Sequence, residues 1–446
     1  MLIVKGCRAI EFQPSKVYED FDVVIDKGRI IASGAGAAKE FSLKDAKVID
    51  GRGKLLMPGL VCAHHHVYSG LSRGITASIG PTPDFISVLQ QLWWKLDRAL
   101  AEEAVYLSSL ICSIDAVRCG TTTVVDHHAS PGFIEGSLSA VRRGFEQTGM
   151  RGITCYEITC RNRGMEEAEQ GLQENLSFAR EIDAQRRDGS WNGLCEAAIG
   201  AHAPFTVDDD AMKMIADAVQ ASGRGVHIHT AEDSYDVSHC HHHYRKDIIE
   251  KLDGFGLLNN RSILVHGVHL REDELEMLNK LDSFLIHNAR SNMNNHVGYC
   301  RGLPVVKNSA LGTDGIGADM FEEFKMAWFK HRDAGGSLQP GDYLRMLSNG
   351  HELVSRYFQM PFGSLKPGNA ADLVISDYDS PTPLKDENIA GHMAFGMGSR
   401  DVRTVIINGN IVMENREFPF DLQKIYGEAQ KAAQELWDAM DALQVQ

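Results

Sequence analysis

The alternation of short apolar segments with longer helical patterns between residues 58 and 363 constrains the fold more than any other feature. Segments such as TTTVVDH, RGITCYEI, GRGVHIHTAE and SILVHGVH have the length of buried strands, and the stretch from Glu102 to Arg118 has helical spacing. Alternation of this kind is typical of repeated βα units around a parallel sheet. The number of such strands is close to eight. We therefore predict an α/β fold built on a distorted (β/α)8 barrel of the TIM type.

The two ends of the chain follow a different pattern. Residues 1–57 and 364–420 consist of short apolar runs separated by Gly- and Asp-containing turns, which is typical of small antiparallel β structure. We predict that they form one small β-sandwich domain, interrupted by the barrel at 58–363. Residues 421–446 carry apolar side chains at helical spacing. They are predicted to form a C-terminal helix that packs on the barrel or on a second subunit.

Composition excludes several classes of protein. The 446 residues carry a net charge of −15, and no Lys/Arg-rich run could follow a phosphate backbone, so nucleic acid is not expected as a partner. Nine scattered cysteines without a CxxC pair indicate neither a disulfide framework nor a thiolate zinc site, and they fit a reducing compartment. Nowhere do 18 apolar residues run together, so no membrane span is expected. We predict a cytoplasmic protein that assembles as a homodimer.

Residues able to bind a metal stand at the ends of several predicted strands. These residues are His64, His66, His229, Glu232, His266 and Asp314. Alternation along an extended chain sends His64 and His66 to the same side. Because the carboxyl ends of parallel barrel strands share one face, the whole set is expected to converge. Three neutral imidazoles and one carboxylate suit a single divalent transition metal with an open position for water, with zinc, iron and manganese all acceptable.

Several of these segments together carry a resemblance to a known family. The chain contains PGLVCAHHH, HIHTAE, LVHGVH, HNARSN and LGTDG, and it later contains LKPGNAADLVI. In this set it resembles the amidohydrolase superfamily, in the cytosine deaminase and chlorohydrolase-like branch, and within that branch the SsnA-type aminohydrolases. The resemblance implies that one metal ion is held by His64, His66, His229 and Asp314. It also implies that Glu232 is the proton shuttle and that His266 contacts the metal-bound water or the leaving group.

A one-metal site of this kind predicts a hydrolytic reaction. A divalent ion lowers the pKa of its water from about 15.7 toward 7. Asp314 can take the water proton, and Glu232 can donate a proton to the ring nitrogen beside the attacked carbon. The sequence therefore predicts a deaminase, a hydrolase of non-peptide C–N bonds in cyclic amidines. It would attack a purine-like heterocycle with metal-bound hydroxide and release ammonia.

Three alternatives remain open at this point. A hydrolytic dechlorinase would use the same metal and water with chloride as the leaving group. A non-catalytic metal-binding scaffold would keep the fold, although intact ligand positions argue against it. Glu232 could also orient His229 as a hydrogen-bond acceptor instead of transferring a proton.

Residues that contact the substrate are predicted chiefly from the resemblance. It implies that His202 hydrogen-bonds the substrate and that Arg73 and Trp93 belong to a substrate loop and lid, whereas Trp94 is predicted as helix core. Further candidates are His128 after the second strand and Arg290 in HNARSN, where many relatives carry a proline. These residues would offer several hydrogen-bond donors and few acceptors, which favours a substrate rich in carbonyl oxygens, such as an oxidised purine. The run from His239 to His243 is predicted to be a solvated loop.

Overall fold

The computed structural model describes residues 1–42, 44 and 46–445, and most of these residues belong to α-helices or β-strands. The strands are β1 (Leu2–Phe12), β2 (Ser15–Asp26), β3 (Arg29–Ala35), β4 (Lys47–Asp50), β5 (Leu55–Pro58), β6 (Leu60–His65), β7 (Thr121–Asp126), β8 (Arg151–Thr154), β9 (Cys195–Ala197), β10 (Ile199–Ala201), β11 (Val226–Thr230), β12 (Ile263–His266), β13 (Phe284–His287), β14 (Ser309–Leu311), β15 (Leu373–Ser376), β16 (Val402–Ile407) and β17 (Asn410–Met413). The α-helices are α1 (Phe85–Val88), α2 (Trp94–Ala99), α3 (Glu102–Arg118), α4 (Ser137–Thr148), α5 (Met165–Asp188), α6 (Asp209–Ser222), α7 (Ser234–Tyr244), α8 (Ile248–Gly254), α9 (Glu272–Leu281), α10 (Ala289–Asn294), α11 (Met320–Asp333), α12 (Pro340–Phe358), α13 (Ile389–Phe395) and α14 (Leu422–Ala442).

Strands from both ends of the chain share one sheet. Its order is β17-β16-β15-β5-β1-β2-β3, with β4 paired to the remaining length of β1. The two ends are joined where β15 runs antiparallel to β5, with Leu373 opposite Pro58 and Ser376 opposite Leu55. The strands predicted for the sandwich therefore form a single hydrogen-bonded sheet of eight strands.

The middle of the chain closes into a parallel barrel. Its eight strands are β6, β7, β8, the pair β9 and β10 flanking Ala198, β11, β12, β13 and β14. The ring closes where His65 forms a parallel bridge with Asp314, and where the backbone N–H of Thr313 donates to the carbonyl oxygen of His64 at 2.9 Å. The predicted fold class, an α/β barrel with a small β domain from both chain ends, is confirmed. The exact domain boundaries stay a prediction.

Apolar packing explains why these segments form barrel strands. All six residues of β7 are buried, as expected for a strand covered on both faces. The alternate residues Val61 and Ala63 of β6 pack in one apolar cluster with their counterparts on the other strands and with α12. These apolar side chains fill one side of the barrel strands. The polar residues at the carboxyl ends of the strands are left to form a site.

The C-terminal helix α14 packs on the barrel side of the molecule. Asp421 caps it, because its carboxylate accepts hydrogen bonds from the N–H groups of Gln423 and Lys424. The helix contacts α2 and α3, and the indole N–H of Trp437 donates to the carbonyl oxygen of Leu71 at 3.0 Å. The first of the two alternatives predicted for this helix is therefore observed. None of the described helices combines the length and the apolar character needed to cross a bilayer.

The histidine-rich run does not form a loop. His239 to His243 lie within α7, so the predicted solvated loop is wrong. The helix begins because the carboxylate of Asp233 accepts a hydrogen bond from the N–H of Tyr235 at 2.8 Å, a strong N-cap. The imidazoles of His239 and His243, one helical turn apart, contact each other with ring centroids 4.3 Å apart and ring planes tilted by 35°.

Candidate active site

The carboxyl ends of the barrel strands bring the predicted metal-binding residues together. His66 Nε2 lies 2.9 Å from Asp314 Oδ1 and 3.1 Å from His229 Nε2. His64 Nε2 lies 3.4 Å from the same Asp314 oxygen. These groups come from β6, β11 and the turn after β14, so residues 250 positions apart share a volume only a few ångströms wide.

Backbone strain at two strand ends aims side chains into this volume. His266 has φ of 73° and Asp314 has φ of 55°, both in the left-handed region that L residues with a side chain rarely adopt. Each such residue costs on the order of 1–3 kcal/mol and persists where surrounding structure holds it. Strain of this type concentrates at functional sites, and here it turns an imidazole and a carboxylate toward the same point.

The hydrogen bonds around the imidazoles show that a cation fits between them. His66 Nδ1 lies 2.6 Å from the carbonyl oxygen of His127, and His229 Nδ1 lies 3.0 Å from that of His202. Because a carbonyl can only accept, both Nδ1 atoms carry a proton, so in the neutral imidazoles both Nε2 atoms carry lone pairs. Two lone pairs and a carboxylate oxygen therefore face one another at contact distance. A divalent ion satisfies all three, and this His and Asp donor set suits a transition metal.

The charge of the neighbours supports the same interpretation. Burial by itself would lower the pKa of His66, but the hydrogen bond and negative charge of Asp314 outweigh it and raise that pKa to about 9. Burial would raise the pKa of Asp314, yet the neighbouring imidazoles of His64 and His66 hold it well below the usual range. His64 Nε2 is buried and has no hydrogen-bond partner among the described residues. When no metal ion is bound, the negative charge of Asp314 therefore stabilises added positive charge among these imidazoles.

Glu232 lies beside this cluster and is placed to hold a proton. Its Oε2 is 3.4 Å from His266 Nε2, and Asn295 Nδ2 donates to its Oε1 at 3.3 Å. Burial and then the charge of Asp314 raise the pKa of Glu232 well above its usual value. His266 is held from behind by Asn292, whose Oδ1 lies 2.8 Å from His266 Nδ1. A carboxyl group with a raised pKa thus faces the same space as the predicted metal ligands.

A cavity opens onto these groups. Its lining residues are His66, Tyr68, Phe85, Ile86, Leu89, Trp93, Trp94, Asp97, Glu157, His202, Ala203, Phe205, His229, Glu232, Asp233, Tyr235, Asp236, Asn295, Asp314 and Gly315. Two of the predicted substrate contacts, His202 and Trp93, are among them. The cavity combines an aromatic and aliphatic wall with a polar wall, which is typical of a site for a small heterocycle.

Three predicted substrate contacts lie elsewhere. The side chain of Arg73 is 71% exposed and pairs with Asp115 of α3, because the turn after β6 points it outward. Arg290 forms ion pairs with Glu323 at 2.6 Å and Glu322 at 2.7 Å, so carboxylates of α11 neutralise its charge.

His128 is the third of these residues. It is buried away from the cavity, with Nε2 2.9 Å from Ser130 Oγ, and burial lowers its pKa to about 3. It is a neutral core histidine.

The predicted excess of hydrogen-bond donors is therefore wrong. Of the described residues that line the cavity, none is Lys or Arg. The acidic members of the lining are Asp97, Glu157, Glu232, Asp233, Asp236 and Asp314. The cavity presents acceptors instead, so it does not favour a substrate rich in carbonyl oxygens.

Sequence reasoning also missed residues that line the cavity. Trp94, predicted as helix core, forms part of the wall and meets the ring of His202 edge-on at 6.2 Å. Arg161 lies over that indole at 4.9 Å and pairs with Asp97. Glu157 lines the cavity, and burial raises its pKa to about 7. It follows β8 as His66 follows β6, so the rule that strand-end polar residues converge could have found it.

Comparison with known proteins agrees with this site. The model of the family described as "Amidohydrolase family" matches residues 55–412. A 5-methylthioadenosine/S-adenosylhomocysteine deaminase of Pelotomaculum thermopropionicum is 30% identical over 448 residues, which cover 97% of this chain and 98% of the relative.

Two solved structures show the same fold. An adenosine deaminase from Xanthomonas campestris with bound zinc has a TM-score of 0.83 and 25% identity, and the match covers 98% of both chains. Atrazine chlorohydrolase TrzN from Arthrobacter aurescens, complexed with zinc, has a TM-score of 0.81 at 21% identity, covering 97% of this chain and 100% of the other. With the family match and the first relative, they confirm the predicted resemblance: the chain belongs to the amidohydrolase family.

Proposed function

We propose that the chain is a metal-dependent hydrolase that deaminates a purine-like base. The single observation that carries the proposal is the convergence of His64, His66, His229 and Asp314 on one point, with Glu232 beside it in the same cavity. The relative and the zinc-containing structure are named for deamination of adenosine-type compounds. A hydrolase of C–N bonds in cyclic amidines fits both the family and the site.

The same four residues would hold one divalent ion. Zinc is the proposed metal because the similar Xanthomonas structure contains it, and iron and manganese are the alternatives for such ligands. When bound, the ion would supply a Lewis acid that makes water deprotonation possible near neutral pH.

The chain's own side chains would move the protons. The carboxylate of Asp314, which its low pKa keeps ionised, accepts the proton of the attacking water. Glu232, whose pKa burial raises, donates a proton to the ring nitrogen next to the attacked carbon. The departing amine then takes the proton held by Asp314 and leaves as ammonia, and Glu232 recovers a proton from the added hydroxyl. His266, 3.4 Å from Glu232, contacts that oxygen. Asn295 keeps the Glu232 carboxyl in place by donating to its second oxygen.

Charge in the cavity narrows the substrate class. Because carboxyl groups line it and none of the described lining residues is Lys or Arg, an anionic phosphate would bind poorly there. Aromatic rings such as Trp93, Phe205 and Tyr235 offer faces for a flat neutral ring. We therefore propose a free base or nucleoside, rather than a nucleotide, as substrate.

Ammonia release tests the proposal directly. The zinc-loaded protein is assayed with adenine, adenosine, 5-methylthioadenosine and adenosine monophosphate. We expect ammonia from at least one of the neutral compounds and little from the nucleotide. Absence of ammonia from every neutral purine would contradict the proposed reaction.

A ligand variant tests the metal site separately. His64→Ala is expected to lose bound zinc and activity together, whereas His242→Ala, on the exposed side of α7, should keep both. Metal content is measured by mass spectrometry. Full zinc occupancy in His64→Ala would remove that residue from the site.

Location and assembly stay proposals. We propose a cytoplasmic homodimer, and the nine cysteines, all unpaired, fit a reducing compartment. The exposed rings of Phe329 and Phe395, 5.9 Å apart, offer an apolar contact for a second subunit. Light scattering of the purified protein measures the subunit number, and a monomer at micromolar concentration would contradict the dimer.

A further inference from the structure

Glu157 is a buried carboxyl group that the proposed reaction does not use. Its side chain is 3% exposed and lines the cavity. Its Oε2 has no hydrogen-bond partner among the described residues; His127 Nδ1 lies 3.4 Å away and His66 Nδ1 lies 3.9 Å away. His66 Nδ1 already donates to a carbonyl, and the guanidinium of Arg161 pairs with Asp97. A buried acceptor left without a donor is costly, so a donor from a ligand would stabilise it.

His202 lies beside Glu157 at the wall of the cavity. His202 Nε2 lies 3.4 Å from Glu157 Oε1, and His202 Nδ1 lies 2.6 Å from Thr206 Oγ1. Because Oε1 has this neighbour, Oε2 is the acceptor that is left for a ligand.

The position of this pair identifies the part of the substrate that it would meet. His202 lies next to His229, with ring centroids 5.5 Å apart, and Glu157 reaches to within 3.9 Å of His66. Both neighbours are proposed metal ligands. A molecule whose reacting carbon sits at the metal would thus turn an edge of its own ring, rather than a distant substituent, toward Glu157 and His202.

We infer that Glu157, beside His202, forms an acceptor subsite that selects heterocycles carrying N–H donors on the ring edge, such as 2-aminopurines. The ring edge of adenine offers acceptor nitrogens and no N–H besides the amine that leaves. A 2-amino group adds donors to that edge, and a hydrogen bond to a carboxylate is stronger than one between neutral groups. The inference rests on the proposed function, because it assumes that the reacting ring enters this cavity.

Matched substrates test the subsite by rate. Kinetics are measured for adenosine and for 2,6-diaminopurine riboside, which share the leaving amine and differ in the 2-amino group. In the zinc-loaded protein we expect kcat/KM to be on the order of tenfold to a hundredfold higher for the 2-amino compound, as for a hydrogen bond to a charged group. In Glu157→Gln most of this preference should be lost, because the amide offers only a neutral carbonyl oxygen in place of the carboxylate.

Controls separate specificity from folding. Glu174→Gln changes another buried glutamate, which accepts backbone N–H groups of Gly136 and Leu138 outside the cavity, and it should keep the wild-type ratio. Glu157→Leu provides a second variant without any acceptor at this position, and it should also lose the preference. Zinc content is measured for each protein. Equal rates on both substrates in the wild type, or a preference unchanged in Glu157→Gln, would overturn the inference.

A binding measurement keeps the inference testable apart from the reaction. Titration calorimetry compares 2-aminopurine riboside with purine riboside, neither of which has an amine at the position attacked in adenosine. We expect tighter binding of the 2-amino compound to the wild type and equal binding of both to Glu157→Leu. If no purine releases ammonia but this difference is present, the proposed reaction fails and the subsite stands. If ammonia is released but no difference is seen in rate or binding, only the subsite fails.

Discussion

At the scale of single residues, Glu232 is the acid on which the proposed reaction depends. Replacing it by Gln keeps its shape but removes the proton, so kcat should fall by about 10²–10⁴-fold while zinc content stays constant. Steady-state ammonia release and metal analysis measure the two effects. Glu276→Gln, on the exposed side of α9, is the matched control. Loss of zinc in Glu232→Gln would instead favour a role in orienting His229.

The same variant separates deamination from dechlorination. Chloride leaves without a proton, so a dechlorinase would lose much less activity from Glu232→Gln. Measuring chloride release from a chlorinated ring beside ammonia release from a purine distinguishes them.

Two arginines illustrate how the surroundings of a charge decide its role. Arg290 pairs with Glu323, which is fully buried, whereas Arg73 pairs with Asp115 at the surface. Arg290→Ala leaves a buried carboxylate uncompensated and should lower the free energy of unfolding by about 3–5 kcal/mol. Arg73→Ala should change it by about 0–1 kcal/mol. Denaturant unfolding measures both, and equal stability of the two variants would contradict this assignment.

At the scale of secondary structure, α14 ties the end of the chain to the barrel helices. Its buried side is formed by Ile425, Ala429, Ala432, Leu436 and Met440. The periodicity of these residues was visible in the sequence, but the surface that they cover was not. The structure assigns that surface to α2 and α3.

A substitution on the buried side of α14 tests this contact. Leu436 is 3% exposed, so Leu436→Ala should cost about 2–5 kcal/mol of unfolding free energy through lost burial and a residual cavity. The neighbouring Glu435 is exposed, and Glu435→Ala should have little effect. Similar melting temperatures for Leu436→Ala and the wild type would show that α14 contributes little to the packing.

At the scale of the whole molecule, closure of the barrel creates the site. The turn after β14 lies against β6, and Gly312 leaves no room for a side chain there. A Cβ at this position would lie 2.4 Å from Asn288 Oδ1 and 2.9 Å from the Cβ of His64. A methyl group would therefore push apart the two strands that carry Asp314 and His64.

Gly312→Ala is expected to weaken zinc binding and lower stability together. Gly317→Ala is the matched control in the same connection, because a Cβ there meets nothing within 4 Å and its φ is not positive. Zinc affinity is measured by competition with a chelator, and stability by thermal unfolding. Wild-type zinc affinity in Gly312→Ala would show that the strand separation at closure does not control the site.

Much of the fold and part of the site could be predicted from local patterns. Strand and helix periodicities gave the barrel and the helix α3 with its observed bounds, Glu102–Arg118. Strand-end position gave His64, His66, His229, His266 and Asp314, because closing a parallel barrel brings all carboxyl ends to one rim. The same rule applied to Glu157 would have added it, but its segment contains no histidine to draw attention.

What the sequence by itself determined is the set of groups at the rim, since hydrophobic period and strand direction are local properties of the chain. What only the tertiary structure decided is which charges meet. Arg73, Arg290 and His128 have the chemistry of substrate contacts. In the folded chain, however, they pair with Asp115, Glu323 and Ser130, respectively. Those partners lie 42, 33 and 2 positions away, and a sequence pattern does not state which of many carboxylates a given arginine will find. Packing, and not composition, therefore decided that the cavity is lined by acceptors rather than donors.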